Sequence, residues 1–236
     1  MKPITKFLNK ILTAFVHLRS FMPPPEARRD SLLSELSRIT AKDAANYAST
    51  NFYLAKHSHN REDLWAHALN NLLDDGIVLE FGVWQGNSIN FFASRLNEEI
   101  HGFDSFIGLK EDWPGHMGWV GRFSLNGKLP KVRPNVTLHK GWFDETLPVF
   151  MKNQLNCFKL IHIDCDTYES TKIVLELIQP KILVGSVIIF DEYIGYRGWR
   201  YGEYKAWQEH TEKYNYKYEY LFFTNQSVSV RVTDIL

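Results

Sequence analysis

Ile77-Val-Leu-Glu-Phe-Gly-Val-Trp-Gln-Gly-Asn-Ser-Ile-Asn-Phe-Phe92 changes character twice. Apolar residues, mostly β-branched, lead into Glu80. Gly82, Gly86 and Ser88 follow, and then an apolar run with helical spacing. The pattern predicts a buried strand, a tight glycine turn and the first turns of a helix. In an open α/β sheet, ligands bind beyond the carboxyl ends of the strands. Two glycines let the backbone approach a ligand there, since no Cβ intervenes. The helix N-terminus that follows offers free N–H groups. An ordinary strand-to-helix turn uses the same residues, so the turn alone does not decide function.

The next strand sharpens the reading. Ile100-His-Gly-Phe-Asp104 is a short segment that ends in an acid. In nucleotide-binding α/β units an acid about 20 residues after the turn accepts hydrogen bonds from ribose hydroxyls. The dinucleotide pattern is broken, because no third glycine stands at its usual place. S-adenosylmethionine, with ribose and adenine but no pyrophosphate, fits better. The two segments resemble the first two motifs of class I methyltransferases. Glu80, Gly82, Gly86, Ser88, Asp104 and Ser105 are the candidate cofactor-binding residues.

Strand-like and helix-like segments alternate on both sides of this stretch. Ser31 to Ala55 reads as an interrupted helix, and Arg61 to Leu73 as a clearer one that ends at Asp74-Asp75-Gly76. Val136 to Lys140 is a third strand. Trp142, just beyond it, stands where a ring that stacks on adenine would lie in a doubly wound layout. Phe158 to Ile163 and Val184 to Phe190 are the fourth and fifth strands, separated by a helix from Tyr168 to about Ile178. Tyr201 to Lys213 is helical. Lys217 to Phe223 and Ser227 to Val232, joined by Thr224-Asn225-Gln226, predict a hairpin. The expected fold is α/β: a doubly wound, mostly parallel seven-stranded sheet with a terminal antiparallel hairpin, Rossmann-like, over residues 31–236. Between Lys110 and Asn135 lies a long irregular stretch that holds Trp113, His116 and Trp119. It reads as a lid over a pocket, or as a surface loop anchored by its own aromatics.

Residues 1–30 stand apart. Lys2, Lys6, Lys10 and Arg19 alternate with Phe7, Leu8, Ile11, Leu12, Phe15 and Val16 at helix-like spacing, before a stiff break at Pro23-Pro24-Pro25. The apolar stretch is too short and too interrupted to span a bilayer. Packing on the domain, or on a second subunit in a homodimer, is preferred to lying on a membrane surface.

The chain has 236 residues, enough for one α/β domain with a full core. Its 27 basic residues match 27 acidic ones, which argues against a nucleic-acid binder with a broad basic face. Cys157 and Cys165 belong to no zinc or redox pattern. They are expected to be reduced, in a cytoplasmic protein.

The fourth and fifth strands both end in acids: Asp164 and Asp166 on one, Asp191 and Glu192 on the other. On neighbouring strands these carboxylates would converge at the edge where the glycine turn lies. Unpaired carboxylates packed together repel, so they need protons or a cation. A hard divalent ion with oxygen ligands, such as Mg²⁺, fits, and it would orient and activate an acceptor hydroxyl. The plainer alternative makes some of them helix caps, a role that suits Asp166.

Here a family resemblance becomes specific. His162-Ile-Asp-Cys-Asp-Thr-Tyr-Glu-Ser-Thr171 followed by Ile189-Phe-Asp-Glu-Tyr193 resembles the macrocin O-methyltransferase family, with its Asp-x-Asp-x-Tyr-Glu-Ser-Thr segment and later Asp-Asp-Tyr. Phe103-Asp-Ser-Phe-Ile-Gly-Leu109 and Gly141-Trp-Phe-Asp-Glu-Thr-Leu-Pro148 match it too. The resemblance covers about residues 77–210. It implies a class I O-methyltransferase that depends on S-adenosylmethionine and Mg²⁺ and acts on a small-molecule hydroxyl, often a sugar hydroxyl of a natural product. By position, Asp164, Asp191 and Glu192 match metal ligands, and Glu80, Gly82, Ser88 and Asp104 match the cofactor site.

Three departures stand out. Glu192 replaces the usual Asp, Val184-Gly185-Ser186 has one glycine in place of two, and Thr167 stands where catechol-type relatives carry a lysine base. The base is therefore open: His139, His162 and His116 are candidates by chemistry, while Asp164 and Asp191 are the candidate catalytic acids through the metal they would hold. Two competing functions remain. One is a metal-dependent tailoring enzyme of the same fold, like the cephalosporin-hydroxylase relatives. The other is a cofactor-binding scaffold without catalysis, against which the intact acid set speaks.

Overall fold

A computed structural model describes residues 31–115 and 118–236. The amphipathic segment 1–30 and His116, with the expectations placed on them, fall outside these residues. Helix α1 (Leu32–Asn51) is continuous. Residues Asp43–Leu236 form one compact unit. In chain order it holds β1 (Lys56–His57), α2 (Arg61–Leu69), β2 (Ile77–Phe81), α3 (Asn87–Ala93), β3 (Ile100–Asp104), β4 (Val136–Lys140), α4 (Phe143–Lys152) and β5 (Phe158–Ile163). Then come α5 (Tyr168–Ile178), β6 (Val187–Phe190), α6 (Glu203–Tyr214), β7 (Tyr216–Phe223) and β8 (Val228–Ile235). Among the described residues no helix is long and apolar enough to cross a membrane.

The strands form one sheet in the order β1-β7-β8-β6-β5-β2-β3-β4. Only β8 runs against its neighbours, β6 and β7. The doubly wound, mostly parallel sheet with a closing antiparallel hairpin is as the sequence predicts, with an eighth, two-residue strand β1 at the edge.

β2 and β5 are buried at every position, as central parallel strands covered on both faces require. Leu79, Phe81, Ile161, Ile163, Ile188 and Phe190 pack with Leu147, Val174, Leu175 and Trp207 of α4, α5 and α6. Val78, Leu160, Val187 and Ile189 pack with Leu64, Trp65, Ile89 and Phe92 of α2 and α3. The alternation along each strand thus divides the core into two layers.

The chain winds outward in one direction through β2, β3 and β4 and in the other through β5 and β6. The switch point lies between β2 and β5, where an open α/β sheet leaves its ligand crevice. Phe81 lies opposite Ile163, and Ile163 opposite Phe190. Gly82, Asp164 and Asp191, each the next residue, therefore leave the sheet side by side.

Candidate active site

Gly82 has φ +91°, and a Cβ there would stand 1.7 Å from the carbonyl oxygen of Asp164. The sequence suggests that this glycine makes room for a ligand, but the close approach that requires it is between two strand ends of the protein itself. Gly86 is the left-handed residue before α3, with φ +82°, and its would-be Cβ meets Asn90 and Val132.

Glu80 sits below the turn with no solvent exposure. One carboxylate oxygen accepts from Ser88 Oγ at 3.0 Å, and the other lies 3.0 Å from His162 Nδ1. Burial raises its pKa, against the lowering effect of His162 and Ser88. Glu80 thus braces β2 against β5 and α3 and does not line the cavity.

Asp104 does line it. Its Oδ2 accepts from the main-chain N–H groups of Val83 at 2.9 Å and Trp84 at 2.8 Å, and its Oδ1 from Phe106 at 2.6 Å. The carboxylate that ends β3 therefore shapes the glycine turn, and Oδ1 keeps acceptor capacity for a ligand.

A cavity of about 300 Å³ runs over the switch point. Gly82, Ser88, Asp104, Ser105 and Trp142 line one part, and Asp164, Asp191, Glu192 and Arg61 another. Trp142 is the residue just before α4, its main-chain N–H donating to Glu145 at 3.3 Å, with Lys110 Nζ 5.2 Å from the centre of its indole.

The predicted lid has its own scaffold. Leu109 N–H donates to Arg122, Gly121 to Leu109, and Leu125 and Gly127 to Phe106. Trp113, buried, lies edge-on to Tyr196 at 5.8 Å. The tip seats on the loop after β6: a Cβ at Gly115 would stand 1.9 Å from the Arg197 carbonyl oxygen, and one at Gly198 would stand 3.1 Å from that of Pro114.

The acids do converge. Asp164, Asp166 and Glu192 each bring an oxygen within 4.8 Å of the others, and so do Asp164 and Asp191 with a ring nitrogen of His162. Asp166 is not the helix cap expected of it. It is buried with φ +67°, and Thr167 Oγ1 caps α5 by accepting from Ser170 N–H at 3.3 Å. Burial raises Asp164 and Glu192 well above the carboxylate range, and the charge of Asp191 adds to both. Burial and then Asp191 push Asp166 up to about 8.

Glu203 and Arg61 join the group, and no local sequence pattern marks either. Glu203, fully buried at the start of α6, accepts from Glu192 N–H at 3.1 Å. Arg61 Nη1 lies 2.6 Å from Asp191 Oδ2. A glutamate just after Gly202 reads as an ordinary first-turn acid, and Arg61 reaches the site from a distant helix.

The cluster fits a hard divalent cation. Its donors are carboxylate oxygens, and Glu192 Oε2 is buried without a hydrogen-bond partner among the described residues. His139 is elsewhere. It lies opposite Phe103 in β4, stacks on that ring at 4.4 Å, meets His101 at 3.2 Å and packs on Phe150 of α4. Burial lowers its pKa, and it does not line the cavity.

A methyltransferase domain model matches residues 79–193, from the glycine turn to the second pair of acids. A tetracenomycin-C-type 4'-O-methyltransferase of Streptomyces olivaceus, acting on a dimethoxyrhamnosyl compound by its name, is 28% identical over 79% of this chain and 77% of its own. The protein is an S-adenosylmethionine-dependent O-methyltransferase. The demethyldecarbamoylnovobiocin O-methyltransferase of Streptomyces niveus is 26% identical to the enzyme, over 71% of each chain. A crystal structure of a calicheamicin methyltransferase superposes with a TM-score of 0.59 at 25% identity, covering 91% of the enzyme and 96% of that chain. The enzyme's fold is that of class I methyltransferases, and its switch-point cavity lies where that fold binds its ligands.

Proposed function

We propose that the enzyme methylates a hydroxyl of a glycosylated small molecule, of the kind macrocin-type O-methyltransferases act on, with Mg²⁺ held among the acids beyond β5 and β6. One observation carries this reading. The glycine turn with Asp104 and the acids Asp164, Asp191 and Glu192 line one cavity. The names of similar proteins support the acceptor class: one is for a rhamnosyl tetracenomycin and another for mycinamicin III.

In this reading Asp104 Oδ1 takes a ribose hydroxyl and Trp142 stacks on adenine. The acceptor lies under Trp113, over the acids. The C–O bond forms as the C–S bond of the sulfonium breaks, so the protein's task is alignment and removal of a proton. Bound Mg²⁺ would lower the pKa of the acceptor hydroxyl and fix its direction. Asp164 and Glu192 would hold the ion, with Asp191 or Asp166 as the third carboxylate. His139 is away from the cavity, and in this reading a carboxylate that lines it, Asp164 or Asp191, takes the proton.

The test is direct. EDTA should abolish turnover on a competent acceptor, and added Mg²⁺ should restore it. Asp191→Asn should stay inactive with Mg²⁺ present while its affinity for S-adenosylmethionine stays within about two-fold, since that ligand lies over β2 and β3. Full activity of the chelated wild type would overturn the metal assignment and leave the methyltransferase in place.

A further inference from the structure

The geometry points to a competition, which rests on the metal reading above: we propose that Arg61 and the divalent cation compete for Asp191. Asp191 is 2% exposed and both its oxygens are taken. Oδ2 is held by Arg61 at 2.6 Å, and Oδ1 accepts from Ser227 Oγ at 3.2 Å. Asp191 groups closely with Asp164 and a ring nitrogen of His162, whereas the close grouping of three carboxylates among the described residues is Asp164 with Asp166 and Glu192. A carboxylate that already receives a charge-assisted hydrogen bond from a guanidinium is a weaker ligand for a second cation.

Arg61 has room to yield. It is the first residue of α2, its side chain is 55% exposed, and its guanidinium lies 5.5 Å from the centre of the Trp65 ring in the cavity wall. It can leave Asp191 without leaving the cavity. Asp164, Asp166, Asp191, Glu192 and Glu203 meet here, and Arg61 is the cationic side chain hydrogen-bonded to this group among the described residues. It therefore supplies a counter-charge before the metal arrives and opposes the metal when it does. The residue is a positioning residue that sets how tightly the ion is held.

Mn²⁺ binding to the full chain, read by calorimetry and by loss of the free-ion resonance signal, tests this without any acceptor. Arg61→Met should bind Mn²⁺ about ten-fold more tightly than wild type, the scale of one charge-assisted contact. Arg61→Lys, which keeps the charge without the fork, should fall between them. The gain must pass through Asp191: Arg61→Met should add nothing in an Asp191→Asn background, whether that background binds weakly or below detection. Unchanged or weaker binding by Arg61→Met overturns the proposal, and so does a gain that persists in Asp191→Asn, which would be general repulsion. Binding by neither wild type nor any variant removes the metal reading along with it. Arg61 is half exposed, so thermal melts matching wild type should accompany each variant.

Discussion

Of the residues at the switch point, Gly82 tolerates least. Any side chain there needs φ +91° and would meet the Asp164 carbonyl, which is backbone and cannot step aside. Gly82→Ala should cost about 3 kcal/mol or more, or fail to fold, as combined strain and overpacking do. Urea unfolding of the purified variant checks it. Asp104 carries two duties at once. Its three main-chain hydrogen bonds hold the turn in shape before any ligand arrives. Asp104→Ala should therefore lose about 1.5–3 kcal/mol of stability without S-adenosylmethionine, the range for hydrogen bonds to a charged group. A variant that melts like wild type yet binds S-adenosylmethionine weakly would make the turn independent of Asp104 and leave the ribose role alone.

Among the elements, α6 carries an acid-sensitive contact. His210 is buried, stacks on Trp207 at 5.8 Å and on Tyr216 of β7 at 5.2 Å, and neither ring nitrogen has a hydrogen-bond partner among the described residues. Burial lowers its pKa from 6.5 to about 4. The unfolded chain takes up the proton first, so the stability of this contact is intact above pH 6.5 and lost as pH falls towards 4. The loss amounts to about 2–3 kcal/mol. His210→Phe keeps the stacking and removes the proton. The difference in unfolding free energy between the variant and wild type should widen in the variant's favour between pH 6.5 and 4.5 and stay constant above pH 7. The elements also show what can be read locally. β2 and β5 announce themselves by largely apolar runs that stop at Gly82 and Asp164, because both their faces are covered. β1 does not, since Lys56 and His57 are exposed and pair only because β7 passes beside them. β6 begins at Val187, later than the apolar run suggests, because Gly185 at φ +94° turns the chain and Ser186 Oγ donates to Phe158 at 2.6 Å.

At the scale of the whole molecule, the strand-end acids were legible because strand order follows from the βα alternation and the acids share a register. Arg61 was not, because its partner Asp191 lies 130 residues away and nothing near it in sequence marks the pairing. His139 was misplaced for a related reason: its residue type suits a base, but its register opposite Phe103 turns it to the aromatic layer under α4. The lid scaffold, too, is tertiary, since its tip depends on Gly115 meeting Arg197 and Gly198 meeting Pro114. That seat makes the two loops one inherited part. Anyone re-aiming the enzyme at another acceptor by grafting residues 105–127 from a similar protein would import a tip without its socket. A graft of that loop alone should melt below the parent and lose turnover on both acceptors. A graft that carries residues 195–199 with it should keep the parent's melting temperature and take on the donor's preference. Specificity here would then pass between enzymes in pairs of segments, and a library that varies only one of them would sample mostly misfits.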